Sequence, residues 1–213
     1  MTMITTKHNF VESPKAMVIL AHGAGADMDH TFMEKMTALL NSRRINVLRF
    51  NFPYMDKRRV DGKRYPPDRM PKLLDCYREV IKQQAGALPV FLAGKSMGSR
   101  VGATLAGEAL AQPGQIKGVI CLGYPFHPQK KPEKLRLEPL QQTLLPALIV
   151  QGERDALGSK DEIAGYALSE LCQLVFLPDG DHDLKPRVKS GFSHEQHMQS
   201  AADEILRFID EKI

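Results

Sequence analysis

Six short apolar runs recur along the chain, separated by segments in which apolar residues repeat with a helical period. Each run is continuous, and continuous apolar runs of this length are typical of parallel strands that helices cover on both faces. The runs are residues 16–22, 45–50, 89–94, 117–123, 146–152 and 172–177. We therefore predict a mostly parallel sheet of about six or seven strands.

Helical signals occur between and after these runs, in residues 31–42, 71–85, 99–111, 160–169 and 193–213. Thr31 with Glu34, and Ser193 with Gln196, have the spacing of capping boxes, while Pro71 suits the first turn of a helix. The alternation of strands and helices predicts a doubly wound α/β fold with helices on both faces of the sheet.

Length and composition favour one domain, because 213 residues with 43% hydrophobic content can bury one core. We expect residues 16–213 to form it and residues 1–15 to be an N-terminal extension, whose opening MTMIT resembles the vector-derived start of a β-galactosidase fragment. Neither a signal peptide nor an apolar span of ~20 residues is visible, so we expect a soluble, cytoplasmic protein. The three cysteines lack paired spacing, which favours buried thiols over a disulfide framework or a zinc site. We expect neither a metal nor a cofactor.

The stretch AGKSMGS, residues 93–99, is compatible with two kinds of enzyme. Its Gly-Lys-Ser could end a phosphate-binding P-loop, but that motif needs a glycine at position 89, where the chain has proline. The same stretch also fits G-x-S-x-G, the elbow that carries a nucleophilic serine between a strand and a helix. Since a buried strand precedes the motif and a small-residue helix follows it, we predict the elbow, with Ser96 as the nucleophile.

A serine needs a base, and the base needs an orienting acid, before it attacks a carbonyl carbon. In an elbow fold the acid and then the histidine follow the serine along the chain, each after a strand. Asp155 and His182 occupy those places. Glu153 is a rival acid, and His127 is a rival base that breaks the expected order. We favour Asp155 and His182, and we expect the aspartates at 179, 181 and 183 to form a solvated acidic loop rather than a calcium site.

An oxyanion hole needs two backbone N–H groups aimed at the developing charge. One should come from Met97, the residue after the nucleophile. The other should come from the loop AHGAGAD after the first apolar run, most suitably from Ala24. The alternative for this loop is a plain glycine turn. We expect His22 to be structural, with its ring hydrogen-bonded to loop backbone beneath the site.

At these residues the sequence resembles the α/β-hydrolase superfamily. Several motifs, VILAHGAGADMDHTFM, VLRFNFPYM, GKSMGSRVG, CLGYPFHPQKKPEKLR, LIVQGERD and DGDHDLKP, are together similar to small predicted bacterial hydrolases. These are related to the hydrolase-like domain of the NSL histone-acetyltransferase complex subunit and testis-expressed protein family. The resemblance covers about residues 16–212 and implies a triad of Ser96, Asp155 and His182. No lid insertion and no antiparallel strand before Ala16 is visible, which argues against lipase-like handling of long acyl chains.

Residues 56–72, here called the basic segment, hold seven basic and three acidic residues, a surplus equal to the formal net charge of the whole chain, +4. Because the segment follows a strand, we expect it to be a loop that borders the site. Arg58, Arg59 and Arg64, with nearby Tyr54, are then candidate substrate-binding residues for a phosphate- or carboxylate-bearing substrate. The alternative is a solvated loop whose charges are paired.

Two functions are compatible with these observations. The first is a serine hydrolase that cleaves carboxylic ester or thioester bonds of a small substrate, neutral or anionic. The second is a binding or scaffolding protein that uses the basic segment for an acidic partner, as the complex subunits among the resembling proteins suggest. The complete triad favours the first, because a scaffold does not need one. A nucleic-acid partner is not expected, since one basic segment is a small footprint.

Overall fold

The computed structural model describes residues 4–84, 86–108 and 115–213. In this part of the chain a seven-stranded sheet has the order β1-β3-β2-β4-β5-β6-β7. Its strands are β1 (Thr6–Asn9), β2 (Ala16–Ala21), β3 (Ile45–Phe50), β4 (Val90–Lys95), β5 (Ile116–Leu122), β6 (Ala147–Gly152) and β7 (Cys172–Leu177). β1 pairs antiparallel with β3, and all other neighbours pair in parallel. The predicted mostly parallel sheet is confirmed.

Helices cover both faces of this sheet. They are α1 (Thr31–Asn41), α2 (Pro53–Asp61), α3 (Met70–Lys82), α4 (Met97–Ala106), α5 (Glu138–Gln141), α6 (Lys160–Ile163) and α7 (His194–Asp210). Helices α1 and α7 pack on one face, where they bury Phe32, Met36 and Phe208 among others. Helices α2 to α6 contribute to the core on the other face. The doubly wound architecture is confirmed, and it leaves the carboxyl ends of β2 to β7 at one edge.

Three of these elements lie where the sequence predicted none, and one of them is the short helix α5. β1 is a short, partly exposed edge strand that pairs Thr6 with Phe50, so the expectation of no antiparallel strand before Ala16 was wrong. This strand adds part of the expected N-terminal extension to the sheet. The third element is α2, which turns the first part of the basic segment into a helix. Its first turn holds Pro53, and Gly62, with φ 70°, ends it.

The first turns of α1 and α7 differ in how they are capped. At α1 the His30 side chain accepts a hydrogen bond from the Phe32 N–H, so Thr31 is not the capping residue and the predicted box is wrong. At α7 both hydrogen bonds of the predicted box between Ser193 and Gln196 are present. Pro71 lies in the first turn of α3, as predicted.

Several predicted helix bounds change. α4 begins at Met97, two residues earlier than predicted, and Ser96 is its N-cap residue. α6 ends at Ile163 rather than at 169, and the chain then places Tyr166 against Phe126, with ring centroids 5.7 Å apart. The predicted ends of α3 at 85 and of α4 at 111 lie outside the described residues.

The cysteines are free thiols. Cys76 and Cys121 are buried among core residues, as predicted, and Cys172 is partly buried. In the described ranges, no helix has both the length and the apolar character needed to cross a membrane.

Candidate active site

The turn between β4 and α4 holds Ser96 in a backbone conformation that side chains other than glycine rarely adopt, with φ 52° and ψ −115°. Two glycines make room for this turn. A β-carbon on Gly94 would lie 2.1 Å from the carbonyl carbon of Gly98, and one on Gly98 would lie 2.5 Å from Ala21 O. Both distances are far below van der Waals contact. The two glycines of the motif are therefore required by backbone packing around Ser96.

Ser96, His182 and Asp155 form one hydrogen-bonded chain. Ser96 Oγ is 2.8 Å from His182 Nε2, and His182 Nδ1 is 2.8 Å from Asp155 Oδ2. Asp155 is fully buried, whereas about a quarter of the His182 side chain is exposed. Since a carboxylate only accepts, Nδ1 carries the proton, and the lone pair of Nε2 faces the serine. This arrangement can remove a proton from Ser96.

Asp155 is itself held by groups that sequence reasoning missed. The side-chain amide of Gln151, a fully buried residue of β6, donates to Asp155 Oδ2 at 2.8 Å. The backbone N–H of Leu157 donates to the other oxygen at 2.8 Å. The Gln151 side-chain oxygen accepts from Tyr124 N–H at 2.8 Å, which fixes the orientation of the amide. A lone glutamine in an apolar strand was the only signal for this role.

The rival acid and base lie elsewhere. Glu153 pairs with Lys160 at 2.8 Å, and this hydrogen bond is the main cause that lowers the pKa of the Glu153 carboxyl. His127 is buried, with Nε2 3.3 Å from a carboxylate oxygen of Glu162. Neither residue takes part in the hydrogen bonds of His182.

The loop after β2 packs against the nucleophile, since a β-carbon on Gly23 would lie 3.6 Å from Ser96 Cβ. His22 lies beneath this loop and is fully buried. Its Nε2 accepts from Phe52 N–H at 3.0 Å, so Nδ1 carries the proton and donates to Gly23 O at 2.7 Å. Burial lowers the pKa of His22 to about 4, so the ring is neutral at pH 7. The predicted structural role of His22 is confirmed.

Tyr54 was predicted to contact substrate, but the side chain is buried beneath the same loop. Its hydroxyl lies 3.0 Å from Ala24 O and 3.3 Å from Gly23 O. Burial also raises the pKa of Tyr54, so the phenol remains a hydrogen-bond donor. The prediction of direct substrate contact was wrong, because Tyr54 is the second residue of α2 and this helix turns its first residues into the core.

The arginines of the basic segment are partly occupied. Arg58 donates to Tyr65 O at 3.0 Å, and Arg59 lies 3.6 Å from an Asp29 oxygen. Arg64 is exposed. The structure does not bring these three side chains to Ser96 through any hydrogen bond in the described residues. For Arg59 it agrees with the alternative of paired charges, whereas the acceptor of Arg58 is a backbone carbonyl.

We had expected the aspartates near His182 to form a solvated loop, but two of them make specific hydrogen bonds and ion pairs. Asp179 pairs with Arg154 and Arg187, and hydrogen bonding from Arg187 is the main cause that lowers the pKa of Asp179. Asp181 accepts from two backbone N–H groups of its own loop, those of Asp183 and Lys185. These bonds stabilise the loop that carries His182. Across the described residues, no cluster of three or more histidines, cysteines and acids could hold a metal ion.

A family model for the alpha/beta hydrolase domain matches residues 14–210, and the chain therefore belongs to the alpha/beta hydrolase family. The match begins close to the start of β2 and ends at the last residue of α7, so it includes every strand end that contributes to the site.

Solved structures share the fold at low sequence identity. A dienelactone hydrolase from Anabaena variabilis is 16% identical, with a TM-score of 0.74 over 99% of this chain and 92% of that one. Est1E from Butyrivibrio proteoclasticus, solved with ferulic acid bound, is 17% identical, with a TM-score of 0.70 over 98% and 95%. A serine hydrolase without a lid from Xanthomonas campestris is 19% identical, with a TM-score of 0.65 over 96% and 89%.

Proposed function

We propose that this protein is a serine hydrolase that cleaves carboxylic ester or thioester bonds of a small substrate. The observation that carries the proposal is the hydrogen-bonded chain from Ser96 through His182 to Asp155, with 2.8 Å at each link. Membership of the hydrolase family supports hydrolysis as the reaction. The structural similarity to an esterase and to a lidless serine hydrolase is in keeping with a small substrate.

In this mechanism Ser96 Oγ attacks the carbonyl carbon while His182 Nε2 takes the serine proton. Asp155 holds the imidazole in its reactive tautomer and stabilises the imidazolium. When the tetrahedral intermediate breaks down, the carbon bond to the leaving group is cleaved, and His182 gives the proton to the leaving oxygen or sulfur. A water molecule, deprotonated by His182, then attacks the acyl-enzyme ester. The bond from the acyl carbon to Ser96 Oγ breaks, His182 returns its proton to Ser96 Oγ, and the carboxylic acid is released.

The N–H groups of Met97 and Ala24 are the proposed oxyanion hole. Met97 is the first residue of α4, and N–H groups of a first helical turn have no partner within the helix. Gly23 O is held by His22 Nδ1 at 2.7 Å. In a trans peptide the C=O and N–H groups point in opposite directions, so the Ala24 N–H points away from His22. The packing of Gly23 on Ser96 supports the use of the neighbouring Ala24 N–H as the second donor.

An acidic group on the substrate is a further part of the proposal, supported by Arg100 and Arg136 rather than by the basic segment. Arg100 lies one turn after Ser96 in α4, and its Nε is buried without a hydrogen-bond partner. Burial, and then the positive charge of Arg100, lower the pKa of Arg136. None of the ion pairs in the described ranges involves either arginine. A carboxylate or phosphate between the two would compensate their repulsion.

Fluorophosphonate labelling followed by a screen of short activated esters and thioesters tests this function. Wild type should be labelled at Ser96, and Ser96→Ala should lose labelling and several orders of magnitude in kcat/KM. His182→Gln should behave in the same way. His127→Gln is the matched control, because it removes a buried imidazole at the same edge of the sheet, and it should be labelled like wild type.

The opposite outcome is equally clear. A folded wild-type protein that is neither labelled nor active on any ester would contradict the proposal and favour the binding role suggested by the resemblance to the NSL-complex subunit family.

Free thiols in the core, at Cys76 and Cys121, are compatible with the reducing cytoplasm, which is the location we propose.

A further inference from the structure

Lys95, the residue between Gly94 and the nucleophile, points its ammonium group at the loop that carries His182. Lys95 Nζ donates to His182 O at 2.7 Å and lies 3.2 Å from Asp183 Oδ1. The residue is only 7% exposed, whereas the Asp183 side chain is 68% exposed. One side chain from the strand of the nucleophile therefore binds the backbone of the proposed base, 87 residues later in the chain.

This contact requires an unusually close approach of three segments. Gly123, the residue after β5, has φ 61°. A β-carbon there would lie 2.8 Å from His182 O and 3.2 Å from Lys95 Nζ. Only glycine leaves the space through which the ammonium reaches the carbonyl. The end of β4, the end of β5 and the His182 loop thus meet at the Lys95 ammonium.

The hydrogen bonds of Lys95 also argue against a role as the general base. A lysine next to a catalytic serine can act as the base in some hydrolases. Here, however, Ser96 Oγ is hydrogen-bonded to His182 Nε2, and the ammonium is directed to a carbonyl and a carboxylate. An ammonium group that donates to the backbone of the base fixes the position of that base and does not itself remove the serine proton.

Keeping an ammonium group here costs free energy. Burial lowers the pKa of Lys95, while Asp183 acts in the opposite direction. A methionine of similar length would avoid this cost if filling space were the only requirement. The other titratable groups that face this region are Asp155, Asp181 and, towards Asp183, His182 and His30.

We infer that Lys95 is a positioning residue for the proposed hydrolysis: its ammonium, balanced by Asp183, holds the His182 backbone so that Nε2 stays at Ser96 Oγ. The inference rests on the proposed function, since it assigns His182 the role of base. It goes beyond that function because it assigns a positioning role to Lys95, the second residue of the elbow motif.

The test compares Lys95→Met, Lys95→Arg and Asp183→Asn with wild type in kcat and KM between pH 5 and 9. Lys95→Met should lower kcat about 10- to 100-fold with a smaller change in KM, because a displacement of His182 by about 1 Å is enough for a loss of this size. Removing the cation favours the imidazolium, so the midpoint of the acid limb should move to higher pH. Asp183→Asn should move it to lower pH, and by less, since that carboxylate is more exposed. Lys95→Arg should recover part of kcat.

Hydrogen exchange supplies a readout that does not depend on activity. Backbone amides of residues 181–185 should exchange faster in Lys95→Met than in wild type, while those of α1 and α7 stay unchanged. Lys160→Met is the matched control, because Lys160 also bonds a carboxylate at this edge but not the His182 loop. It should leave both kcat and the exchange of residues 181–185 at wild-type values.

Three results would overturn the inference: a kcat of Lys95→Met within twofold of wild type, midpoints that do not move in opposite directions, or unchanged exchange of residues 181–185. If Lys95→Met does not fold, Lys95→Arg and Asp183→Asn carry the test through the midpoint. An inactive, unlabelled wild type would instead contradict the proposed function, and the exchange experiment would still decide whether Lys95 holds the loop.

Discussion

Replacing Ser96 with glycine should leave the protein more stable than replacing it with alanine. Both variants lose the hydroxyl and its hydrogen bond to His182, so that loss cancels in the comparison. They differ in the backbone, because alanine keeps a β-carbon at φ 52° and ψ −115° and glycine does not. Such a conformation costs a non-glycine residue about 1–3 kcal/mol in the folded state.

The expected difference follows from two opposing effects. Glycine relieves the backbone strain, but it also gives the unfolded chain more freedom, which costs about 0.4–1 kcal/mol. The Ser96→Gly variant should therefore exceed Ser96→Ala in free energy of unfolding by about 1 kcal/mol, and by ~2.5 kcal/mol at most. In a domain of this length, 1 kcal/mol corresponds to about 2–4 °C in Tm.

Ser99 provides a matched control three residues later, inside α4. Its hydroxyl also makes one hydrogen bond, to Ser96 O at 2.6 Å, which both substitutions remove. At this helical position glycine should be less stable than alanine by about 0.5–1 kcal/mol. Urea unfolding of the four variants, followed by circular dichroism, measures both differences. A Ser96 pair with the same sign as the Ser99 pair would refute the argument that the elbow stores strain.

Three further results are expected. Asp155→Asn should lower kcat/KM strongly in a folded protein, because the imidazole loses its reactive tautomer, whereas Glu153→Gln should not; the reverse pattern in steady-state kinetics would show the wrong acid. Because burial lowers the pKa of His22 to about 4, the unfolded chain binds a proton that the folded chain refuses as pH falls from about 6.5 to 4. The free energy of unfolding should fall by on the order of 3 kcal/mol through that window, with no contribution from His22 above it, and denaturation of His22→Gln should lack this part of the slope. The double variant Arg100→Gln, Arg136→Gln should have a higher KM for esters that carry a carboxylate and an unchanged KM for neutral esters. If the ratio of these two KM values is the same in the variant as in wild type, there is no anion site at the two arginines.

β2 to β6 were predictable because each is almost entirely buried on both faces, so a continuous apolar run marks it. β7 is a partly exposed edge strand that still keeps such a run. All six predicted runs are strands whose ends shift by at most one residue. β1 escaped prediction for the opposite reason. Its sequence, TKHN, is polar and it lies half-exposed at the sheet edge, where pairing with β3 rather than its own composition makes it a strand.

The residues of the site were predictable where chain order and strand ends fix them. Ser96, Asp155 and His182 each follow a strand, and parallel strands bring their carboxyl ends to one edge, where the structure joins the three by hydrogen bonds. Gln151 and Lys95 were not predictable in this way. Each lies in the last two residues of its strand, β6 or β4, and only its contacts with the loops beyond the strand ends show what its polar group does.

The basic segment shows why charge in a sequence predicts location better than it predicts partners. Its position after β3 places the start of the segment at the edge of the sheet where the parallel strands end. Yet the carboxylate beside Arg59 belongs to Asp29, thirty residues earlier, and the acceptor of Arg58 is a backbone carbonyl of the segment itself. Neither of these contacts can be predicted from the amino-acid composition of the segment. A positive charge is available for a substrate only where the fold withholds a partner from it, which is the reason to search for an anion at Arg100 and Arg136 before the more conspicuous arginines.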